Sequence, residues 1–228
     1  MILAKRALLA PLIFALLASS AQAQNEDGFL GTIILGELLD RTVQDSATSV
    51  SISSGEEMEA RGDVDLYYKV ERTPNVATTF GNKAFVIRVF PQNGLGSNGQ
   101  SNGTLISVQV DGVALNSWQS TFFGPYSTWD LGQVEILRGP QSTQQGRNAL
   151  AGAVILKTKD PTFDPEYRFR IEGGSRNTQR YALAVNQPFS DTVALRFAAE
   201  HRTTDGWVTS QPRADDRYDA REYTNYRA

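Results

Sequence analysis

The sequence predicts an α+β fold: a small mixed sheet with short helices, followed by antiparallel strands. Up to Asp160, short β-branched segments alternate with helical signals and with loops rich in Gly, Asn, Ser and Gln. From Tyr167, apolar and polar residues alternate with a period of two, as in strands whose two faces have different surroundings. The pattern changes at Asp160-Pro161, so we predict a domain boundary there.

The N-terminal residues predict export. Lys5 and Arg6 precede an apolar run over residues 7–18, and the tripeptide A-Q-A ends at Ala23. These are the three parts of a secretory signal peptide. A membrane anchor is the alternative, but it needs about 20 apolar residues, more than this run contains. We therefore expect a signal peptide at residues 1–23, cleaved after Ala23.

The composition argues against several classes of function. The chain has no cysteine and a single histidine, His201, so the side chains for a thiolate or multi-histidine metal site are missing. Its net charge is −3, and removal of Lys5 and Arg6 with the signal peptide makes it −5, which suits no nucleic acid. No G-x-S-x-G motif accompanies the histidine, which argues against a serine hydrolase. We predict no catalytic residue, metal or cofactor, and hence no enzyme.

Local signals place the first elements. Residues 32–35 form a short apolar segment between two glycines, and residues 49–52 alternate like a half-buried strand. Ser54 stands three residues before Glu57, the spacing of a helix capping box, and Gly62 is placed to end that helix. A strand followed by a short helix is therefore expected here.

A second helix is expected between a cap at Asp63 and about Thr73, because Pro74 disfavours helical geometry in the residue before it. Polar loops containing glycine separate the four strands predicted next: Phe85–Val89, Leu105–Val110, Val134–Leu137 and Ala153–Thr158.

The loop after the first of these strands contains G-L-G-S-N-G, residues 94–99, which fits the dinucleotide-binding pattern G-x-G-x-x-G. That pattern holds a pyrophosphate only where a strand enters the turn and a helix leaves it. The segment that follows, Leu105–Val110, is alternating and β-branched, so it predicts a strand. We interpret residues 94–99 as a polar loop, with dinucleotide binding as the alternative.

The C-terminal segment predicts three strands of a meander and the start of a fourth, near Tyr223–Tyr226. Arginine, alanine and other polar or small residues occupy one face of the three strands. The other face carries Tyr167, Phe169, Ile171, Tyr181, Leu183, Val185, Val193, Leu195 and Phe197. Both a soluble antiparallel sheet and a membrane barrel with a wet lumen fit this alternation.

Residues 131–155, L-G-Q-V-E-I-L-R-G-P-Q-S-T-Q-Q-G-R-N-A-L-A-G-A-V-I, carry a long motif. It closely resembles the hallmark of the plug domain of TonB-dependent outer-membrane receptors, V-E-[VI]-L-R-G-P-x-[GS]-x-x-x-G-x-x-[AS]-x-G-G-x-[IV]. The similarity continues upstream in V-D-G-V at 110–113 and P-N-V at 74–76, and it covers about residues 32–207. It implies an N-terminal segment at 24–43, a plug domain at 44–160 and the first strands of a transmembrane β-barrel at 161–228.

The chain also departs from the family pattern. Val89 stands where the family usually has the glycine of I-R-G, and Ala151 replaces the first of two usual glycines. Gln144 and Gln145 replace a common apolar-aromatic pair. Local geometry near Val89 is therefore expected to differ from that of relatives.

The resemblance implies two sets of contact residues in addition to a ligand site. The segment Thr32, Ile33, Ile34 and Leu35 resembles the TonB box, which pairs as an added strand with a TonB-type periplasmic energy-transducing protein. Its alternative role is the first strand of the plug. Arg88 and Arg138 match plug arginines that face barrel glutamates and lock the plug, unless they are ordinary surface arginines.

The plug loops of the family that face the outside touch the ligand. The matching loops here offer hydrogen-bonding groups and flat apolar rings, a mixture suited to a pocket, although polar loops can also simply fill a lumen. The residues concerned are Asn82, Lys83, Gln92, Asn93, Asn98, Gln100, Trp118, Phe122 and Phe123.

The function implied is uptake of a scarce ligand, most often an iron chelate such as a ferric siderophore, across the outer membrane and in contact with its lipid. Outer-membrane transporters of this type have about 22 strands, and three strands with part of a fourth cannot close such a barrel. We therefore expect an N-terminal part of a longer receptor. A secreted or periplasmic plug-like module that binds a ligand without transport is the alternative.

Overall fold

The structure, a computed structural model, describes residues 42–44, 48–79, 84–92, 104–115, 127–141, 148–206 and 220–228. They form helices α1 (Gly55–Arg61) and α2 (Leu66–Glu71) and strands that we number β1 to β12 in chain order. The first eight strands, β1–β8, are Ser49–Ser54, Val76–Thr79, Ala84–Ile87, Phe90–Pro91, Ile106–Val110, Val113–Ala114, Leu131–Arg138 and Gly152–Thr158. The last four, β9–β12, are Glu166–Gly174, Thr178–Ser190, Val193–Thr204 and Arg221–Arg227.

The strands form three sheets. Five strands make a mixed sheet in the order β1-β7-β8-β5-β6, in which β5 and β8 are parallel and the other neighbours antiparallel. A small antiparallel sheet, β2-β3-β4, stands beside it, and the last four strands form an antiparallel sheet in the order β12-β11-β10-β9. We call the part up to β8 the N-terminal domain and β9–β12 the C-terminal sheet. The predicted α+β fold followed by antiparallel strands is confirmed.

The first helix begins and ends as predicted. The Ser54 side chain accepts a hydrogen bond from the Glu57 N–H at 3.1 Å, and Gly62 ends α1 at a φ of 74°, in the left-handed region that glycine tolerates. Gly55 also allows close packing, since a Cβ atom there would lie 1.7 Å from the carbonyl oxygen of Leu131. Helix α1 thereby packs directly against the first residue of β7.

The predicted cap of the second helix is wrong by two residues. Asp65 precedes α2, and its Oδ1 accepts a hydrogen bond from the Tyr67 N–H at 3.0 Å. Asp63 instead accepts a hydrogen bond from Arg72 and, through its carbonyl oxygen, one from the Thr128 hydroxyl. A capping carboxylate was correctly expected, but tertiary contacts decided which of the two aspartates caps.

The main core lies between the five-stranded sheet and the helices with the small sheet. Its fully buried members are Met58, Leu66, Val70, Phe85, Ile87, Ile106, Val108, Leu131, Val134, Ile136 and Val154. The opposite face of the five-stranded sheet carries a smaller cluster of Ile52, Leu137, Ala153 and Ile155, against which Val43 and Val50 pack. The N-terminal domain thus buries apolar side chains on both faces of its main sheet.

The turn after β3 shows why valine is tolerated in place of the family glycine. The left-handed conformation falls on Arg88, at a φ of 59°, and its N–H bonds the Asn75 carbonyl at 2.7 Å. Val89 follows in the turn with 79% of its surface exposed. The predicted strand therefore ends at Ile87, two residues early.

The C-terminal sheet has an apolar outer face and a polar inner face. Phe169 is 81% exposed and Ile171 is 72% exposed on the outer face. On the inner face, Ala184 is buried against Trp129 of the N-terminal domain, and Asn186 is buried against the segment between β8 and β9. Strand β10 continues through a register shift after Pro188 to Ser190, and the chain turns at residues 191–192 before β11. Neither of the described helices has the length and apolar character needed to cross a membrane.

Candidate functional site: the contact between the N-terminal domain and the C-terminal sheet

Asp130 is the centre of this contact. It lies just before β7, is 2% exposed, and has a φ of 60°. Arg196 of β11 donates to both of its oxygens, from Nε at 2.8 Å and from Nη2 at 2.6 Å, and Arg168 of β9 adds a third bond. Two guanidiniums from the C-terminal sheet therefore neutralise one buried carboxylate of the N-terminal domain, in a geometry that fixes their relative position.

Glu59 on α1 provides a second anionic contact. Arg168 Nη1 lies 3.1 and 3.2 Å from its two oxygens, and Arg170 Nη2 lies 3.7 Å from one of them. Arg168 thus bridges Glu59 and Asp130. The first helix and the start of β7 are held by the same strand, β9.

Trp129 inserts its side chain between these charges. Only 3% of its surface is exposed, and it clusters with Ala182, Ala184 and Ala198 of β10 and β11. Its indole Nε1–H donates to the Leu183 carbonyl oxygen at 3.0 Å. The guanidinium carbons of three arginines lie above the ring at 4.9 Å (Arg168), 5.5 Å (Arg170) and 5.9 Å (Arg180), within the range of cation–π attraction.

Ser127 and the last strand extend the contact. The Ser127 hydroxyl donates to Glu200 of β11, whose other oxygen accepts from Arg180 at 2.5 Å. Arg227 of β12 donates to the carbonyl oxygens of Trp129 at 2.8 Å and Ser127 at 3.4 Å. Segment 127–130 is thereby bonded to strands β9 to β12.

Asp65 pairs with the last strand. Arg221 Nη1 lies 3.3 Å from its Oδ2, while its Oδ1 caps α2. Burial raises the pKa of Asp65 above its ordinary value, and the positive charge of Arg221 counteracts part of that rise. A single carboxylate therefore links a helix cap to the C-terminal sheet.

Asn186 holds the connection between the two parts. Its side-chain oxygen accepts from the Thr162 N–H at 3.0 Å, and its Nδ2 lies 2.8 Å from the Thr162 carbonyl, 2.9 Å from the Thr162 hydroxyl and 2.7 Å from the Asp164 carbonyl. The side chain is completely buried. The segment between β8 and β9 is therefore fixed to β10.

Arg88 and Arg138, the predicted lock residues, lie next to each other. Arg88 Nη2 donates to the Arg138 carbonyl at 3.4 Å, and Arg138 Nη1 donates to the Pro74 carbonyl at 2.9 Å. Neither forms an ion pair with a carboxylate in the described ranges. A barrel glutamate as their partner stays a prediction.

Most of the predicted ligand and TonB-box residues lie outside the described residues: Thr32, Ile33, Ile34, Leu35, Asn82, Lys83, Asn93, Asn98, Gln100, Trp118, Phe122 and Phe123. Gln92 is described and is 2% exposed. Its backbone bonds Phe85 and Leu105, and its side-chain Oε1 accepts from the Phe85 N–H at 3.4 Å. Its side chain therefore contributes to the fold in this structure, and a role in ligand binding stays a prediction.

Sequence reasoning missed the carboxylates of this contact, Glu59, Asp65 and Asp130, and it missed Trp129. The available signal was the arginine-rich face of the C-terminal strands, which requires anionic partners wherever it is buried. Within the described part of the chain, no group of His, Cys, Asp and Glu side chains could hold a metal ion. The acidic residues of the contact bind arginines instead.

Comparison with known proteins gives a consistent result. Residues 42–153 match the family model of the TonB-dependent Receptor Plug Domain. The chain is 31% identical over 176 residues to the ferrioxamine B receptor of Salmonella typhimurium, covering 75% of the chain and 24% of the receptor. It is 26% identical over 162 residues to the catecholate siderophore receptor Fiu of Escherichia coli K12, covering 69% and 20%.

A solved structure supports the fold. The ferric yersiniabactin uptake receptor FyuA of Yersinia pestis superimposes with a TM-score of 0.63 at 20% identity, over 79% of the chain and 28% of that receptor. At this identity the likeness concerns the fold alone. The chain thus spans about a quarter of the length of the proteins it resembles.

Proposed function

Because the chain belongs to the TonB-dependent receptors, we propose that the protein takes up a ferric siderophore across the outer membrane. Binding would occur at the outward loops predicted above, and energy would come from a TonB-type periplasmic protein that pairs with residues 32–35. No chemical step is required of the protein's own side chains. Its task is to hold, release and pass a ligand.

The two faces of the C-terminal sheet carry this proposal. The inner face is bonded to the N-terminal domain through buried arginines, and the outer face exposes large apolar side chains. Those on the outer face are Tyr167, Phe169, Ile171, Tyr181, Leu183, Val193, Leu195, Phe197 and Tyr226. A surface of this extent on an exported protein suits contact with lipid hydrocarbon, whereas water would make it an aggregation site.

The long connection in the C-terminal sheet suggests an orientation for such a wall. Residues 205–220 separate β11 from β12, and this connection begins beside the short turn at 175–177, since the Asp205 N–H donates to the Arg176 carbonyl at 2.9 Å. The short turn at 191–192 lies at the opposite end of the sheet. Outer-membrane barrels have short turns on the periplasmic side and longer loops on the outside. The turn at 191–192 would then face the periplasm, and the 205–220 connection would face the outside.

The relatives' names support the choice of ligands to test. A ferrioxamine B receptor and a catecholate siderophore receptor are both among them, and the former is the more similar at 31% identity. We therefore propose ferrioxamine B as the first ligand to test and a catecholate siderophore as the second.

The proposal is tested by uptake of radioactive iron. The complete gene would be expressed in cells that lack their own siderophore receptors, and iron loaded on ferrioxamine B or on a catecholate would be supplied. We expect accumulation with one of the two, lost in an isogenic strain without TonB. Equal accumulation with and without TonB, or none with a range of siderophores, would contradict the proposal.

The alternative, a secreted or periplasmic binding module, makes a different forecast. It requires the outer face of the C-terminal sheet to be covered by protein or exposed to water. Fractionation of the same cells separates the two cases, since the receptor should sediment with outer membranes and the module should remain soluble.

A further inference from the structure

We propose that Trp129 is the positioning residue that seats the N-terminal domain on the C-terminal sheet, by filling a socket of three alanines on the inner face. The inference rests on the proposed function, because it predicts that a receptor without the indole lets bulky molecules pass through the outer membrane. It concerns a side chain that neither the sequence motif nor the predicted lock residues include.

The socket is a local depression in the inner face. Ala184 of β10 lies directly opposite Ala198 of β11, and Ala182 lies on the same face, two residues before Ala184. Longer residues surround these alanines on the same two strands: Arg180, Asn186, Arg196 and Glu200. Because directly opposed Cβ atoms in a sheet are about 5 Å apart, the alanines form a continuous floor that can accept a flat ring.

The ring is held in one orientation. Its single N–H donor reaches the Leu183 carbonyl at 3.0 Å, which fixes the direction of the indole. The three arginine side chains lie 4.9 to 5.9 Å from the ring, and indole is the aromatic system that attracts cations best. A smaller or non-aromatic side chain could not cover the three alanines, donate to the Leu183 carbonyl and attract the guanidiniums at the same time.

The side chain acts between the two parts rather than within either one. Trp129 belongs to neither apolar cluster of the N-terminal domain, and the buried hydrophobic residues grouped with it all come from the C-terminal sheet. Its replacement should therefore leave the core of the N-terminal domain intact. What should change is how tightly this domain is held in the wall.

The test uses the complete receptor in receptor-deficient cells. Trp129→Ala removes the ring that fills the socket, and Ala184→Leu places a larger side chain in the socket floor. Each variant should therefore disrupt the contact between Trp129 and the alanines. Tyr68→Ala is the matched control, because it removes a 40% exposed aromatic ring of the same domain that lies outside the socket. The readouts are the amount of receptor in the outer membrane, siderophore affinity, iron uptake, and sensitivity to a bulky antibiotic that intact outer membranes exclude.

We expect Trp129→Ala and Ala184→Leu to lower the inhibitory concentration of the antibiotic several-fold with siderophore affinity retained. The double variant should leak no more than either single variant, because both act on one contact. Trp129→Ala could lower the amount of receptor in the outer membrane. In that case the antibiotic sensitivity of Ala184→Leu and Trp129→Phe, divided by the amount of receptor, tests the role of Trp129.

Unchanged antibiotic exclusion in both socket variants, leak equal to that of Tyr68→Ala, or additive effects in the double variant would overturn the inference. Iron uptake by the wild-type receptor tests the proposed function separately from the role of Trp129. If the wild-type receptor takes up siderophore and the socket variants still exclude the antibiotic, the role of Trp129 is rejected and the proposed function stands.

Discussion

At the scale of single residues, Lys69 is the buried cation of the N-terminal domain that lacks a carboxylate partner in the described ion pairs. Its Nζ donates to the Ser53 hydroxyl at 2.7 Å, the Ser51 hydroxyl at 2.9 Å and the Ile52 carbonyl at 3.2 Å. Burial lowers the pKa of Lys69 from 10.5 to about 8. The charged groups around it are Glu57 and Asp63, which raise this pKa, and Arg61 and Arg138, which lower it.

This lysine predicts a specific pH dependence of stability. Because its pKa is lower in the folded chain, the unfolded chain binds the proton more tightly between about pH 8 and pH 10.5. The free energy of unfolding should therefore rise with pH through this window. Lys69→Met removes the titration, so the wild-type minus variant difference in unfolding free energy should be flat below the window and rise within it.

Urea unfolding of the chain in detergent micelles at several pH values measures this difference. The hydrogen bonds lost in Lys69→Met shift the variant by a constant amount and leave the pH dependence interpretable. Parallel stability curves for wild type and variant across the window would show that Lys69 keeps its ordinary pKa.

The TonB-box prediction concerns Ile34. Ile34→Pro removes one N–H and fixes φ, so it should prevent pairing of residues 32–35 with the energy-transducing partner. We expect iron uptake to be abolished and siderophore binding to remain, with Ile34→Val as the control that keeps the N–H. Uptake at the wild-type rate in Ile34→Pro would place the TonB box elsewhere.

The ligand-loop prediction concerns Asn93, Asn98 and Gln100. Their joint replacement by alanine should weaken siderophore binding, because each lost hydrogen bond is worth about 0.5–1.5 kcal/mol net. A dinucleotide site predicts something else, namely saturable binding of NAD or FAD that Gly96→Val blocks. Titration of the complete receptor with both kinds of ligand distinguishes the two readings of residues 94–99.

At the scale of elements, the outer face of β9 should be sensitive to charge. Phe169→Arg places a guanidinium near the middle of a strand proposed to face lipid, where arginine costs about 2–4 kcal/mol. Gln179→Arg adds the same charge to the same face near the 175–177 turn, and it should cost little. We expect a reduced amount of Phe169→Arg receptor in outer membranes, and equal amounts of both variants would argue against lipid contact at β9.

At the scale of the whole molecule, the two parts differ in what they need to stay folded. The N-terminal domain buries its own apolar clusters, whereas the C-terminal sheet exposes most of its large apolar side chains on the outer face. Limited proteolysis without detergent should therefore trim residues 165–228 first. Detergent should slow that trimming by covering the outer face. Equal resistance through Tyr226 in water would instead favour the soluble module.

The contact between the parts explains why the sheet is held at all. Buried ion pairs stabilise only when each charge is matched, and removal of one partner leaves an uncompensated charge. Asp130 with Arg196 and Arg168 meets this condition across the interface. The position of the domain on the sheet is thereby coupled to the pairing of these charges.

Much of the local structure could be predicted from the sequence, because its causes are local. The Ser54 cap, the Gly62 end of α1 and the two-residue period of β9 to β11 depend on neighbouring residues only. The plug motif could also be recognised from the sequence, because it is long and combines glycines, a proline and apolar positions at set spacings. These features determined the fold class and the family.

Tertiary structure alone decided which groups meet. Segment 76–79 became a strand through pairing with β3. Asp65 caps α2, whereas the Asp63 side chain binds Arg72 and its carbonyl oxygen binds Thr128. Nothing within a few residues of Trp129 predicts that its side chain will pack into a socket formed by residues more than fifty positions further along the chain. Periodicity specifies which face a side chain occupies, but the partner across an interface depends on the packing of distant segments, which local sequence does not encode.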